Sequence, residues 1–233
     1  MIDNRTKMLI KNLTYKVNQK TFFDNLSINF LPYGISVILG PNGAGKSLIT
    51  KILKGIIKPE GVEVSVKINN MKPEVGYLSQ NIVFLRRNVF NNLAYPMQIR
   101  GLSNEIISKR VNFLLNHFDF TKSKDISARN LSKGNKQYLS FIRALVNDPS
   151  VLILDEPTSN LDMNYTKKIE NYLLTKKENT KIIMVTHDLF QAKRLADEIV
   201  FMNSGKLVEI SKTETFLKSS NKLVKKFLNG SLF

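Results

Sequence analysis

The sequence has no cysteine and only two histidines. The lack of cysteine excludes a disulfide framework, a thiolate nucleophile and cysteine-ligated metal. Two histidines alone cannot complete a structural zinc site, which takes four cysteine or histidine ligands. No apolar run approaches the roughly 20 residues that span a bilayer. The opening Met1-Ile-Asp-Asn-Arg-Thr-Lys7 leads into no apolar segment, so no secretory signal is expected. A thiol-free chain is compatible with a reducing cytoplasm. Repeats and low-complexity tracts are missing as well. What is present is an ordinary globular composition over 233 residues, 42% hydrophobic and 23% charged, enough for one sizeable core.

Acidic residues are scarce. Nineteen Asp and Glu stand against 35 Lys and Arg, a formal charge of +16. An excess of this size can favour nucleic acid or anionic lipid. Yet the 27 lysines are scattered among 25 asparagines, with no long block and no basic helix interleaved with aromatics. This reads as compositional bias, beside a modest preference for an anionic membrane surface. Nucleic acid is not expected as a partner.

The most informative stretch is Ile35-Ser-Val-Ile-Leu-Gly-Pro-Asn-Gly-Ala-Gly-Lys-Ser47. A β-branched run leads into Gly40-Pro41-Asn42-Gly43-Ala44-Gly45-Lys46-Ser47, and an apolar helical segment follows from Leu48 to about residue 57. Strand, glycine-rich loop and helix in this order make a phosphate-binding loop. The glycines let backbone N–H groups wrap an anion, and the helix aims its positive end at the same point. Lys46 can reach the β- and γ-phosphates, and the Ser47 hydroxyl can ligate Mg²⁺.

Before this loop, residues 8–30 alternate apolar and polar, which predicts strands over 11–15 and 26–30 with a turn at 17–20. Tyr15 is either an aromatic that stacks on a base or a half-buried strand tyrosine. After the loop, strands are expected over 62–68 and 75–80. Gln80 ends the second, where its amide would lie near a metal ion or an attacking water, or serve only as a loop residue. Residues 81–101 read as loop, rich in apolar side chains. A helix capped by Ser103 follows, with a stripe of Ile106, Ile107, Val111, Leu114, Leu115 and Phe118. Residues 84–145 thus read as a helical subdomain inserted in an α/β core. The apolar loop residues before it are either a docking surface or the lobe's own core. Leu131-Ser132-Lys133-Gly134-Asn135 precedes a helix expected over 138–146, and is a second candidate anion site or a plain N-cap.

Val151-Leu-Ile-Leu-Asp155-Glu156-Pro157 predicts a buried strand with two carboxylates at its carboxyl end, the edge where parallel sheets bind ligands. Asp155 would hold Mg²⁺ through its water shell, and Glu156 would act as general base at the γ-phosphate. Ser159-Asn-Leu-Asp162 turns into a helix over 164–175. A strand over 181–186 ends at His187, placed to bond a γ-phosphate or the attacking water. Residues 198–210 read as a hairpin around Asn203-Ser-Gly205, and 212–230 as helical, with no added C-terminal regulatory domain.

Tyr15, GPNGAGKS, Gln80, LSKGN, VLILDEP, SNLD and His187 stand in one order. Together they resemble the ATP-binding cassette of ABC transporters over nearly the whole chain. The resemblance implies a single domain, residues 1–233, with a P-loop NTPase core on a mainly parallel sheet and an N-terminal antiparallel β subdomain. It assigns Tyr15 to the base, residues 40–48 to the phosphates, and Ser47, Gln80 and Asp155 to Mg²⁺. Gln80 links the ion to the membrane partner, Glu156 is the base and His187 the γ-phosphate switch. Leu131 to Asn135 would bind ATP held by a second copy, and Asp162 would touch across that interface. The family's usual LSGGQ differs here at Lys133 and Asn135. Partners implied are transmembrane permease subunits, a second copy arranged head to tail and, indirectly, an extracytoplasmic substrate-binding protein. The site of work is the cytoplasmic face of the inner membrane.

Phe84-Leu-Arg-Arg-Asn-Val is similar to segments of oxyanion importers. THDLFQAKRLADE (186–198) and FLNGSL (227–232) are similar to tungstate-type importers. These similarities imply an importer for tungstate or molybdate, with phosphate, amino acids or other solutes as the alternative cargoes, because a cassette does not touch its cargo. An export cassette, or a soluble cassette acting on ribosomes or DNA, is the alternative.

Overall fold

The computed structural model describes residues 7–17 and 20–230. Two sheets organise it. The larger has six strands in the order β5-β6-β7-β3-β8-β9: β3 (Ile35–Leu39), β5 (Val75–Leu78), β6 (Val151–Asp155), β7 (Lys181–Val185), β8 (Glu198–Asn203) and β9 (Lys206–Lys212). The first five run parallel, and β9 returns antiparallel to β8. The smaller sheet is antiparallel, in the order β2-β1-β4, from β1 (Lys7–Val17), β2 (Lys20–Asn29) and β4 (Glu63–Lys67). The 17–20 turn includes residues 18 and 19, which lie outside the described residues, as do residues 231 and 232 of the FLNGSL segment.

Every residue of β3, β6 and β7 is buried. A parallel strand covered on both faces has no polar side, which is why these segments are nearly continuous apolar runs. Successive side chains still alternate between faces. Val37, Leu39, Leu152, Leu154, Ile182 and Met184 enter one core with the helices of the inserted lobe. Ile38, Val151, Ile153, Ile183 and Val185 enter the other, beneath α1 (Lys46–Lys54) and the antiparallel sheet. The loops after β3, β6 and β7 therefore leave from one edge of the large sheet.

Between β5 and β6 lie α2 (Val89–Gln98), α3 (Asn104–His117) and α4 (Lys133–Ala144). Part of the stretch expected as loop is thus the helix α2. Its N-cap is Asn88, whose side chain accepts from the Asn91 N–H at 2.8 Å, and it tolerates Pro96 within it. The apolar residues of 82–95 divide between the two roles considered for them. Phe84, Val89 and Leu93 are buried in the lobe, whereas Val83, Leu85 and Tyr95 are exposed. The stripe of α3 is buried as expected except at Ile106, which faces solvent. Helix α4 starts five residues earlier than the sequence suggests, because Ser132 caps it by accepting from the Asn135 N–H at 3.2 Å. After α5 (Met163–Lys176) and α6 (Leu189–Leu195), the C-terminal stretch is two short helices, α7 (Thr213–Phe216) and α8 (Lys222–Leu228).

Candidate functional site

One cleft of about 880 Å³ opens at the carboxyl edge of the large sheet. Its lining comes from six places: Gly40, Pro41 and Asn42 after β3; Gln80, Asn81 and Ile82 after β5; Lys133, Lys136 and Gln137 of α4; Glu156, Ser159 and Asn160 after β6; His187 after β7; and Phe227 of α8.

The loop from Gly40 to Ser47 is shaped by close packing. A Cβ on Gly40 would lie 2.0 Å from the Met202 carbonyl oxygen, and one on Gly45 would lie 2.6 Å from the Phe23 ring. Only glycine fits at either position. Ala44 is buried, and its carbonyl accepts from the Gly205 N–H at 3.2 Å, which ties the loop to the β8–β9 turn. Gly45 is the N-cap of α1 and supplies no side-chain cap, and no acidic residue lies in the first turn. The first N–H groups of α1 are therefore available to an anion, and the helix dipole favours one there. Gly43 has open space around its Cα. Leu48 packs against the core beneath.

Lys46 is buried, and its Nζ donates to the Gly40 and Pro41 carbonyls at 2.7 and 2.9 Å. Burial pulls its pKa below the usual lysine range, while Glu156 and Asp155 partly offset this. Asp155 is only 1% exposed, and neither of its carboxylate oxygens has a hydrogen-bond partner among the described residues. Burial pushes its pKa up. The Ser47 hydroxyl, close but outside hydrogen-bond geometry, and the ammonium groups of Lys51 and Lys46 pull less strongly the other way. A buried carboxylate without a partner is costly unless a cation is present. The Asp155 and Ser47 oxygens are the hard donors that Mg²⁺ takes, so this pair fits that ion.

Glu156 and His187 meet, with His187 Nδ1 3.0 Å from Glu156 Oε2. Burial raises the Glu156 pKa, and Asp155 adds to this; His187 and Lys46 lower it. Glu156 itself has a φ of 53°, the left-handed region that few non-glycine residues adopt.

Among the sequence candidates, the cleft collects Gly40, Pro41, Asn42, Gln80, Lys133, Glu156 and His187. Leu131, Ser132, Gly134, Asn135 and Asp162 do not line it. Ser132 caps α4, and Asp162 caps α5 by accepting from the Tyr165 N–H at 2.9 Å. Gly134 packs against the Asn160 carbonyl. Tyr15 is half-buried on β1 opposite Phe23, with its ring 6.3 Å from Phe22, and does not line the cleft. Lys136, Gln137 and Asn81 line it without having been singled out. A start for α4 at the Ser132 cap would have put the first two in the opening turns of a helix that borders the cleft.

The ABC transporter family profile matches residues 23–159, more than half of the chain. The tungstate uptake system ATP-binding protein TupC of Peptoclostridium acidaminophilum is 35% identical over 87% of this chain and 97% of its own length. The molybdate/tungstate import ATP-binding protein WtpC of Methanocaldococcus jannaschii is 35% identical over 84% of this chain and 68% of its own. The methionine import ATP-binding protein MetN of Carboxydothermus hydrogenoformans is 32% identical over 95% and 71%. Among solved structures, a dimeric post-hydrolysis state of the ATP-binding cassette MJ0796 bound to ADP and Pi is similar, with a TM-score of 0.76. It is 25% identical over 88% of this chain and 99% of that one. The chain therefore belongs to the ABC transporter family, as one of its ATP-binding, ATP-hydrolysing cassettes.

Proposed function

We propose that this cassette drives solute import from the cytoplasmic face of the inner membrane, and that the solute is an oxyanion of the tungstate or molybdate kind. The observation that carries the catalytic part is the Glu156–His187 contact beside the uncapped start of α1 and the buried Lys46. Residues 40–48 hold the triphosphate through backbone N–H groups and Lys46. Glu156 takes a proton from the attacking water, and His187 bonds the γ-phosphate. Tyr15 would stack on the base, as the family pattern implies, from its place on β1 outside the cleft. Ser47, Asp155 and Gln80 would hold Mg²⁺, which would offset the phosphate charge.

Each site is half complete. Its second clamp is Ser132 to Asn135 at the start of α4 in a second copy, with Asp162 at the same interface and Lys133 adding positive charge. ATP then joins two copies head to tail, and its hydrolysis releases them. Permease subunits bind the exposed side chains of 81–100 and follow that opening and closing, because the two states differ in affinity for ATP. The whole chain acts as one domain, with 84–145 as its helical subdomain. Support for the cargo comes from the tungstate and molybdate/tungstate systems to which TupC and WtpC belong, and from the segments at 84–89 and 186–198. MetN shows that a chain of comparable similarity can serve a different solute. No helix among the described residues is long and apolar enough to cross a membrane, in keeping with separate permease chains.

The test is purification of the tagged cassette from detergent-solubilised cells, with co-purifying chains identified by mass. A polytopic membrane protein and a substrate-binding protein that binds tungstate by calorimetry are the expected result. A membrane partner alone would indicate export. Ribosomal proteins or nucleic acid would overturn the transporter reading and give the +16 charge another meaning.

A further inference from the structure

The peptide of Glu156 is held more firmly than its place in a loop requires. A left-handed non-glycine residue is strained and persists only where its surroundings fix it. Here three residues do so. The Glu156 N–H donates to the Val185 carbonyl at 3.0 Å, which ties it to β7. Its carbonyl oxygen accepts from the Ser159 hydroxyl at 3.0 Å and from the Ser159 N–H at 3.3 Å, both local turn contacts. The same oxygen accepts from Gln137 Nε2 at 2.8 Å, across 19 residues of sequence. Gln137 is 3% exposed and lies in the opening turns of α4, beyond the cap at Ser132.

The three residues are not equivalent. The Ser159 contacts move with the loop itself, so they cannot fix the loop against the rest of the protein. Val185 and Gln137 can, since each belongs to a separate element of regular structure. The direction of the Glu156 side chain follows from its backbone dihedrals. Rotation of this peptide would carry Oε2 away from His187. Among the described residues, Gln137 alone hydrogen-bonds the Glu156 backbone to the helix that carries Ser132, Lys133, Gly134 and Asn135.

We propose that Gln137 is a positioning residue for ATP hydrolysis, holding the Glu156 peptide so that its carboxylate faces His187 and the cleft. This rests on the reading of Glu156 as the general base. Gln137 borders the cleft, but in this role it acts through its bond to the Glu156 carbonyl and not through contact with nucleotide or water. Its removal should therefore lower kcat and leave nucleotide binding unchanged.

The experiment measures kcat, KM and melting temperature for the wild-type protein, Gln137→Met, Gln137→Glu and Glu156→Gln. Met keeps the length of the side chain without a donor. Glu keeps length and polarity but sets a carboxylate against the carbonyl. In both Gln137 variants kcat should fall about tenfold to a hundredfold, the range of a misplaced catalytic group. KM should stay within about twofold, the pattern of an interaction that matters only in the transition state. Wild-type kcat in both variants, or a change confined to KM, would overturn the proposal. If one variant does not fold, the other decides. If neither folds, Gln137 serves the fold and not the carboxylate, and the proposal fails. Glu156→Gln separates the two readings. If it still turns over ATP, the base assignment falls and the proposal with it. If it is inactive while both Gln137 variants have the wild-type kcat, only the positioning role falls.

Discussion

Replacing Asp155 with Asn should make the nucleotide-free protein more stable while it abolishes hydrolysis. Asp155 ends β6, is 1% exposed, and has no hydrogen-bond partner for either oxygen among the described residues. The net effect of its surroundings disfavours the charge, since burial outweighs the nearby Ser47 hydroxyl and the attraction of Lys51 and Lys46. A buried polar group left unsatisfied costs about 1–3 kcal/mol, and more if charged. The isosteric amide removes the charge but leaves its own polar atoms without partners, so the gain should be about 1–2 kcal/mol. For a chain of this size that corresponds to about 2–8 °C in melting temperature. Calorimetry at one scan rate, in chelator and without nucleotide, reads this directly. MgATP should then raise the wild-type melting temperature more than that of the variant, because a ligand stabilises only the state it binds. A variant that melts below the wild type in chelator would show that the carboxylate is already compensated, and would refute the argument that a cation is needed there.

Lys46→Ala should weaken ATP binding by about tenfold or more, read by calorimetry, because a charge-assisted phosphate contact contributes about 1.5–3 kcal/mol; unchanged affinity would remove Lys46 from the site. Gly205→Ala should lower both stability and ATP affinity. At a φ of 75° its Cβ would lie 2.0 Å from the Phe22 carbonyl oxygen, and the Gly205 N–H holds Ala44 of the phosphate loop. Thermal melts and nucleotide titration would check both effects, and a variant equal to wild type would contradict the packing described. A third test concerns Lys181, buried at the far edge of the sheet. Its Nζ donates to the Ser36 hydroxyl at 2.5 Å, and burial lowers its pKa to about 8 against attraction by Glu198 and Asp197. Because the unfolded chain holds this proton up to about 10.5, folding expels it between about pH 8 and 10.5, and stability rises with pH through that window. Relative to Lys181→Met, the wild type should gain on the order of 3 kcal/mol there, at about 1.4 kcal/mol per pH unit. Denaturant titrations at pH 8 and 10.5 measure it, and a constant difference would refute the assignment.

Much of the fold was legible because the relevant chemistry is local. The glycines of 40–45 and the apolar runs of β3, β6 and β7 carry their structure in adjacent residues, and the two carboxylates after β6 follow from the strand they end. The errors arose where a local signal misled. Pro96 and the asparagines around it suggest a loop, yet Asn88 caps α2 and Leu93 and Met97 bury its inner face. Ser132 is the N-cap that the sequence allowed, but the glycine and asparagine after it suggest a helix start near 138, whereas Lys133-Gly134-Asn135 is already the first turn of α4. Contacts between distant segments left no pattern at all. The fit of Phe23 under Gly45 and the bond from Gln137 to Glu156 each depend on how separate elements pack, whereas Tyr15 is half-buried on its strand, one of the two places the alternation of 8–30 allowed it.

The central claim is that ATP joins two copies and that Glu156 is needed to release them. The direct measurement is the mass of Glu156→Gln in solution, with MgATP and with ADP, alongside its turnover. The expected result is a dimer of twice 26.6 kDa in MgATP, a monomer in ADP, and no turnover. A Glu156→Gln protein that stays monomeric in MgATP, or one that still hydrolyses ATP, would contradict it.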